Sequence, residues 1–463
     1  MQKLIVKYGT AAHLALLAVA PLILFPFAGE SVIATTMLWL PVPAISWVVL
    51  APSIHEGEPL HIARQRVALE MVRDPVLWLG LVLIAFTGFR ALNTGVAIAY
   101  DAELAKWHVA EAQFPILPAS AGSAGYLPFA AAVAAAVLLI GCRHSLGRSA
   151  RMAFLLVAAT LAGFAATIAL VATALGNTVT GRLIACPKEL CSFVGLAFAL
   201  HFLGGMVALV AAFERKWHAA MALFVLAVGG TAAGAFAFAP ARVLAVFGVA
   251  AAVLLVYSFL YSCRVLRSAG EFKALVVLAI ALTLGTMLVL SLVPEETLQA
   301  RADAFVEFCF LPDGFKELRE LLSGIALKSW LTHLWIGTGI GSFPLDFRFG
   351  AAPEDWALVP RGASELMNGW WMLLAERGIV GAVTLALPYG FLLFTYGRNL
   401  VGGIIARRLP HPAVLLLPLV LAAIAVTGTY DCSFLRTDAI VVSVALLAIS
   451  AKAFPVSKRN TDG

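Results

Sequence analysis

The chain has 463 residues, of which 62% are apolar and 13% charged, with a formal net charge of +6. Soluble globular chains carry about a quarter charged residues. A mean hydropathy of +0.94 therefore leaves too little polar surface to cover a water-facing globule. The same composition excludes disordered, collagenous, coiled-coil and disulfide-rich secreted chains. One integral membrane domain remains.

Apolar stretches of about 20 residues, the length that a helix needs to cross a bilayer, recur along the chain. They predict an all-α polytopic membrane protein with about twelve transmembrane helices. The predicted spans are 11–28, 31–50, 75–100, 126–142, 151–175, 191–213, 217–238, 241–261, 272–293, 368–396, 412–430 and 437–453. The chain then divides into helices 1–9 (residues 1–293), a loop domain (294–367) and helices 10–12 (368–463).

The distribution of Lys and Arg predicts the orientation of these spans. With both termini in the cytoplasm, the inside segments hold nineteen Lys and Arg residues and the short outside segments five. This bias is the positive-inside rule. It accounts for the surplus positive charge, so we expect no nucleic-acid partner. Segment 55–74 carries charges and apolar residues at helical spacing, which is typical of a helix on the inner membrane surface; a solvated loop is the alternative.

The predicted outside segment that begins at residue 294 is much longer than the other connections. Loops above about 15 residues usually carry function or are disordered, and its many Trp and Phe residues argue against disorder. We expect short amphipathic helices that fold back over the membrane face as a lid or as one wall of a cavity. The run from Gly337 to Gly341 is a glycine-rich turn. It is neither a P-loop nor a dinucleotide fingerprint.

Two segments in order carry a family resemblance: SGIALKSWLTHLWIGTGIGSF at 323–343 and NGWWMLLAERGIVG at 368–381. They resemble the paired signature of the O-antigen ligase and O-antigen polymerase superfamily of bacterial membrane glycosyltransferases. Three weaker similarities extend the resemblance over about 180–450, at 181–203, 239–249 and 428–434. The N-terminal third is similar only in its pattern of spans.

The resemblance implies a metal-independent enzyme of the inner membrane, without a cofactor, that acts in surface polysaccharide biosynthesis, as for lipopolysaccharide or exopolysaccharide. It would move a glycan from an undecaprenyl-pyrophosphate carrier to a hydroxyl of an acceptor glycan or glycolipid on the periplasmic side. Membrane lipid and other proteins of polysaccharide assembly are the further partners implied. The leaving pyrophosphate needs cations, best supplied by Arg, and the acceptor hydroxyl needs a base.

The family's two phosphate-handling arginines carry over to Arg242 and Arg319. For Arg242 the alternative is an interfacial snorkelling residue, and for Arg319 a solvated charge on a loop helix. Arg182 and Arg361 also lie in predicted outside segments and would extend a cationic groove. Asn368, in the second motif, is the remaining candidate for substrate binding.

The sequence departs from the family at the position of the presumed catalytic base. The usual signature has His immediately before the Asn of the second motif, and here that residue is Met367, whose thioether cannot accept the proton. Glu365 is our candidate for the base. The alternative is a carboxylate favoured by the dipole at the start of span ten. Stabilisation of the transition state mainly by the cations, and a loss or change of activity, also stay open. His333 is interpreted as structural.

Other polar residues leave alternatives open. Arg90 either snorkels or faces the cavity, and Glu376 with Arg377 either orient the helix start or pair with each other. Asp431 lines the cavity or caps a turn.

The six cysteines show no metal-ligand spacing, so we expect no metal. Cys186 and Cys191 form a disulfide in an outside loop or remain packed thiols. The rival functions are a non-catalytic scaffold of polysaccharide assembly, which the departure at Met367 keeps open, and a secondary transporter.

Overall fold

The structure is a computed structural model. It describes residues 58–93, 98–101, 106–109, 125–145, 188–214, 218–265, 269–291, 295–310, 316–343, 368–405, 411–430 and 432–436, together with short pieces of 159–171 and 444–448. The first two predicted spans, 11–28 and 31–50, lie outside the described residues.

The described residues are helical almost throughout. The helices are α1 (Leu60–Arg73), α2 (Pro75–Leu92), α3 (Tyr126–Ser145), α4 (Lys188–Glu214), α5 (His218–Phe238), α6 (Ala241–Val265), α7 (Ala269–Leu290), α8 (Glu295–Phe310), α9 (Lys316–Thr332), α10 (Gly369–Ile405), α11 (Ala413–Thr427) and α12 (Ser433–Arg436). Strands β1 (Ile98–Asp101) and β2 (Lys106–Val109) form one antiparallel pair.

The strand pair corrects the predicted span 75–100. Helix α2 ends at Leu92, and Asn93 caps it through an N–H bond to the carbonyl of Phe89. The sequence Asn-Thr-Gly after Leu92 favours a helix end. The apolar residues of β1, however, keep the mean hydropathy high beyond it. Hydropathy alone therefore extended the predicted span beyond the helix.

The apolar helices are those of a membrane protein. Within the described part of the chain, four helical segments are long and apolar enough to cross a bilayer: Pro75–Leu92, Tyr126–His144, Ala241–Tyr261 and Gly369–Gly403. Shorter apolar stretches lie at Gly195–Val210, Leu223–Phe238, Ala279–Leu290 and Ala413–Thr427. The number twelve and the orientation stay predictions.

The described residues of the loop domain are mostly helical, as the sequence predicted. Helix α8 packs against α5 and α6, and its Leu298 contacts an apolar cluster at the ends of the neighbouring helices that includes Leu170 and Val289. Helix α9 packs against α10. Both helices therefore fold back onto the bundle.

Contacts between antiparallel helices define two ends of the bundle. At one end, Arg90 near the end of α2 bonds to Glu376 near the start of α10, and Arg242 at the start of α6 bonds to the turn after α11. We name this the arginine end. At the opposite end, Tyr261 of α6 contacts the ring of His411, just before α11.

Asp74, at the start of α2, ties α1, α2 and α3 together at the end opposite the arginine end. Its carboxylate accepts a hydrogen bond from the N–H of Val76 at 3.1 Å, which caps α2. Its Oδ2 lies 2.7 Å from Nε2 of His144 and 2.8 Å from Nε of Arg143. Burial alone would raise the pKa of Asp74, but the bond to His144 and the charge of Arg143 outweigh it and lower the pKa.

Replacing Asp74 by Asn should destabilise the protein by about 3–5 kcal/mol, because Arg143 would lose its buried counter-charge while Asn would keep the helix cap. Thermal unfolding in nanodiscs measures the change. Asp303→Asn, an exposed site on α8, is the control and should shift stability by less than about 0.5 kcal/mol. Equal stability of the two variants would contradict this role of Asp74.

Candidate functional site

Helix α10 is interrupted at Gly378, where φ is 64° and ψ is −172°. In a continuous helix the N–H groups of Ile379 and Val380 would bond to the carbonyls of Ala375 and Glu376. Here all four groups bond instead to the glycine-rich loop that follows α9. The bonds are Thr338 N to Ala375 O at 2.7 Å, Gly339 N to Glu376 O at 3.1 Å, Ile379 N to Leu334 O at 3.1 Å and Val380 N to Trp335 O at 2.9 Å.

Glycine is required on both sides of this contact. Gly337 has φ of 71°, and a Cβ there would overlap the backbone of Glu376 and Arg377. A Cβ on Gly378 would overlap the backbone of Trp335. The two segments that carry the family resemblance are thus in direct backbone contact, which explains why the glycines occur in both.

Three charged side chains are buried beside the break. Arg90 is only 1% exposed, and its Nη2 donates to the carbonyl of Glu376 at 3.2 Å. The carboxylate of Glu376 accepts from the N–H of Phe343 at 3.4 Å, and Arg377 is buried as well. Arg90 therefore does not snorkel: it joins α2 to the break in α10.

The second part of the site is the turn Gly428–Tyr430, which follows α11. The N–H of Gly369 donates to the carbonyl of Gly428 at 2.8 Å and so places the start of α10 at this turn. Nη1 of Arg242 donates to the carbonyl of Tyr430 at 2.9 Å. The guanidinium carbon of Arg319 lies 5.8 Å from the centre of the Tyr430 ring. The two arginines predicted from the sequence thus meet at one tyrosine.

The charges at this turn favour an anion. Partial burial lowers the pKa of Arg319, and repulsion from Arg242 lowers it further, while Tyr430 acts in the opposite direction. Arg242 is the second residue of α6, where the helix dipole adds positive potential. Its bond to a carbonyl at the C-terminal end of α11 also has a structural role. A phosphate group between the guanidinium groups would relieve their repulsion.

Asn368 borders the same turn as the N-cap of α10. Its Oδ1 accepts hydrogen bonds from the N–H of Trp370 at 3.0 Å and of Trp371 at 3.4 Å. The indole Nε1 of Trp370 donates to the carbonyl of Ala425 in α11. The side-chain oxygen of Asn368 therefore orders the start of α10, next to the arginines.

The structure places three of the six predicted site residues, Arg242, Arg319 and Asn368, around one turn. The side chain of His333 is exposed beside the glycine loop. Sequence reasoning missed Tyr430, although it lies within the segment 428–434 that carries a weak resemblance. The predicted residues Glu365, Arg182 and Arg361 lie outside the described residues, as do Met367, Asp431, Cys186 and the side chain of Cys191.

No protein-family model matches the chain, and no curated protein matches it either.

Replacing Gly337 by Ala should destabilise the protein by at least about 1–3 kcal/mol, the cost of a strained backbone, because the new Cβ meets the backbone of α10. Unfolding in nanodiscs measures the change. The control is Gly324→Ala in α9, where nothing lies within 4 Å of the added Cβ. That change should be neutral or stabilising, by up to about 1 kcal/mol. Equal losses in both variants would contradict the requirement for glycine in the loop.

Proposed function

We propose that this protein is a membrane glycosyltransferase of the O-antigen ligase and polymerase type. It transfers a glycan from undecaprenyl pyrophosphate to a hydroxyl of an acceptor glycan or glycolipid at the periplasmic face of the inner membrane. The observation that carries the proposal is the meeting of Arg242 and Arg319 at Tyr430. These three residues come from separate parts of the chain.

The chemistry of a diphosphate fits this pair of arginines. A guanidinium group has five N–H donors, so the bond of Arg242 to the carbonyl of Tyr430 is compatible with further bonds to phosphate oxygens. Arginine stays charged even when partial burial and a like charge lower its pKa. The pair would bind the diphosphate of the donor and stabilise the negative charge that develops on it as the sugar leaves.

The transfer then needs one proton acceptor. The acceptor oxygen attacks the anomeric carbon opposite the leaving group, the bond from that carbon to the pyrophosphate oxygen breaks, and the configuration inverts. The hydroxyl proton passes to a carboxylate, for which Glu365 is our candidate. Three steps of about 3.8 Å each keep the Cα of Glu365 within about 11 Å of the Cα of Asn368, which borders the turn Gly428–Tyr430.

The positive-inside rule supports the placement of this site on the periplasmic side. Arg143 pairs with Asp74 at the end opposite the arginine end. Arg73 ends the helix just before Asp74, and Arg398 lies near the far end of α10. All three belong to the segments that the sequence assigns to the cytoplasm. The arginine end would then face the periplasm, where lipid-linked glycans arrive.

Inorganic pyrophosphate should raise the unfolding temperature of the purified protein, because it would relieve the repulsion between Arg242 and Arg319. In Arg319→Gln the apparent affinity should fall about 10²-fold, the loss expected for one charged contact. The matched control is Arg398→Gln, which removes an exposed charge from the far end of α10 and should bind pyrophosphate like the wild type. Equal binding by all three proteins would contradict a diphosphate site at Tyr430.

Glu365→Gln should lower glycan transfer from an undecaprenyl-pyrophosphate donor by about 10²–10⁴-fold, the contribution of a general base. Pyrophosphate binding should persist in this variant. Glu296→Gln, an exposed site on α8, is the control for loss of a carboxylate. Undiminished turnover of Glu365→Gln would remove Glu365 from the mechanism. Transfer that survives in an Arg242→Gln, Arg319→Gln double variant would favour the rival hypothesis of a non-catalytic scaffold of polysaccharide assembly.

A further inference from the structure

Helix α1 has an apolar stripe that none of the helices described in the structure covers. Its Ala63 and Val67 are buried against the bundle, where α1 contacts α2 and α3. On the other side, Ile62 is 45% exposed, Leu69 57% and Val72 55%. These three positions are separated by seven and three residues, so they lie on one face of the helix. We name these three residues the α1 stripe.

The α1 stripe continues into the exposed face of a membrane span. Nε1 of Trp78, in the first turns of α2, donates to the carbonyl of Val72 at 2.9 Å. Trp78, Leu81 and Val82 are exposed on α2, and α2 is long and apolar enough to cross the bilayer. The exposed apolar face of a span contacts lipid, so the α1 stripe adjoins a surface that contacts lipid.

The charged residues nearest the α1 stripe are Arg66, four residues after Ile62, and Arg73, four residues after Leu69. Arg66 is paired. Both carboxylate oxygens of Glu58 accept from the guanidinium of Arg66 at 3.1 Å, and Glu70 adds a weaker contact at 3.5 Å. Hydrogen bonding to Glu58 raises the pKa of Arg66. Paired charges cost less to bring near an apolar medium than isolated ones, so these residues are compatible with a lipid surface close by.

We propose that α1 lies in the membrane interface, with the α1 stripe inserted between the headgroups and acyl chains of phospholipids. Trp78 then lies at the boundary, where Trp is enriched in membrane proteins. Arg73, exposed at the end of α1, is placed to contact a headgroup phosphate. Because Asp74 holds the junction of α1 and α2 against α3, the bundle fixes the depth of the helix.

Photo-crosslinking of the full chain in phosphatidylcholine nanodiscs tests this proposal. The photoreactive residue p-benzoylphenylalanine replaces Ile62, Leu69 or Val72 in three separate variants. Its replacement of Val82 on α2 is the positive control for lipid contact. Its replacement of Glu70, whose side chain is 46% exposed but lies among the charges, is the matched control on α1.

Each stripe variant should gain the mass of one phospholipid on irradiation, as the Val82 variant does, and the Glu70 variant should gain none or several-fold less. Only variants that elute as monodisperse protein are compared. Three stripe positions are used so that the test still works if one variant does not fold. Stripe positions that gain no lipid while Val82 does would overturn the proposal. Crosslinks to a second copy of the chain in place of lipid would overturn it too.

Discussion

The exchange of backbone hydrogen bonds at Gly378 is the constraint on which the arginine end depends. Two bonds of a regular helix are given up, and four bonds to the loop after α9 replace them. The four backbone groups that lose their helical partners at Ala375, Glu376, Ile379 and Val380 thus all keep a hydrogen bond, which matters beside an apolar medium. Arg90 adds α2 to the same contact through the carbonyl of Glu376. Three helices are thereby held in register at one level.

The turn Gly428–Tyr430 depends on this register. Helix α10 starts at the turn through Gly369, and α6 reaches it through Arg242. Arg319 lies on α9, whose C-terminal end is held to α10 by the glycine loop and by the contact of Trp330 with Trp371. The repulsion between Arg242 and Arg319 costs free energy. A bound anion would relieve this repulsion, and the free energy regained would strengthen its binding. This is the physical reason to place a diphosphate at the pair.

Part of this could be predicted from the sequence. Hydropathy predicted the apolar helices, but it extended one predicted span past Leu92, where the helix ends, because the first residues of strand β1 are apolar too. The paired motifs at 323–343 and 368–381 predicted that the two segments belong together, but not that they exchange backbone hydrogen bonds. Backbone bonds do not depend on side-chain type, so the glycines are the only trace of this contact in the sequence. The meeting of Arg242 and Arg319 at Tyr430 depends on how α6, α9 and α11 pack. Periodicity along one helix does not contain that information.

The length of α10 beyond the break bears on the choice between the proposed enzyme and the rival transporter. Transporters with discontinuous helices place the break near the bilayer midplane, where it binds the transported substrate. From Ile379 to Gly397 helix α10 has 19 residues, a rise of about 28 Å, close to the roughly 30 Å of a hydrocarbon core. The segment after the break is therefore long enough to cross the membrane alone, so the break need not lie at the midplane. Arg90, two residues from the end of α2, belongs to the same level. If the break lies at the headgroups, the site would suit a carrier whose diphosphate lies in the headgroup layer while its polyprenyl chain stays in the bilayer.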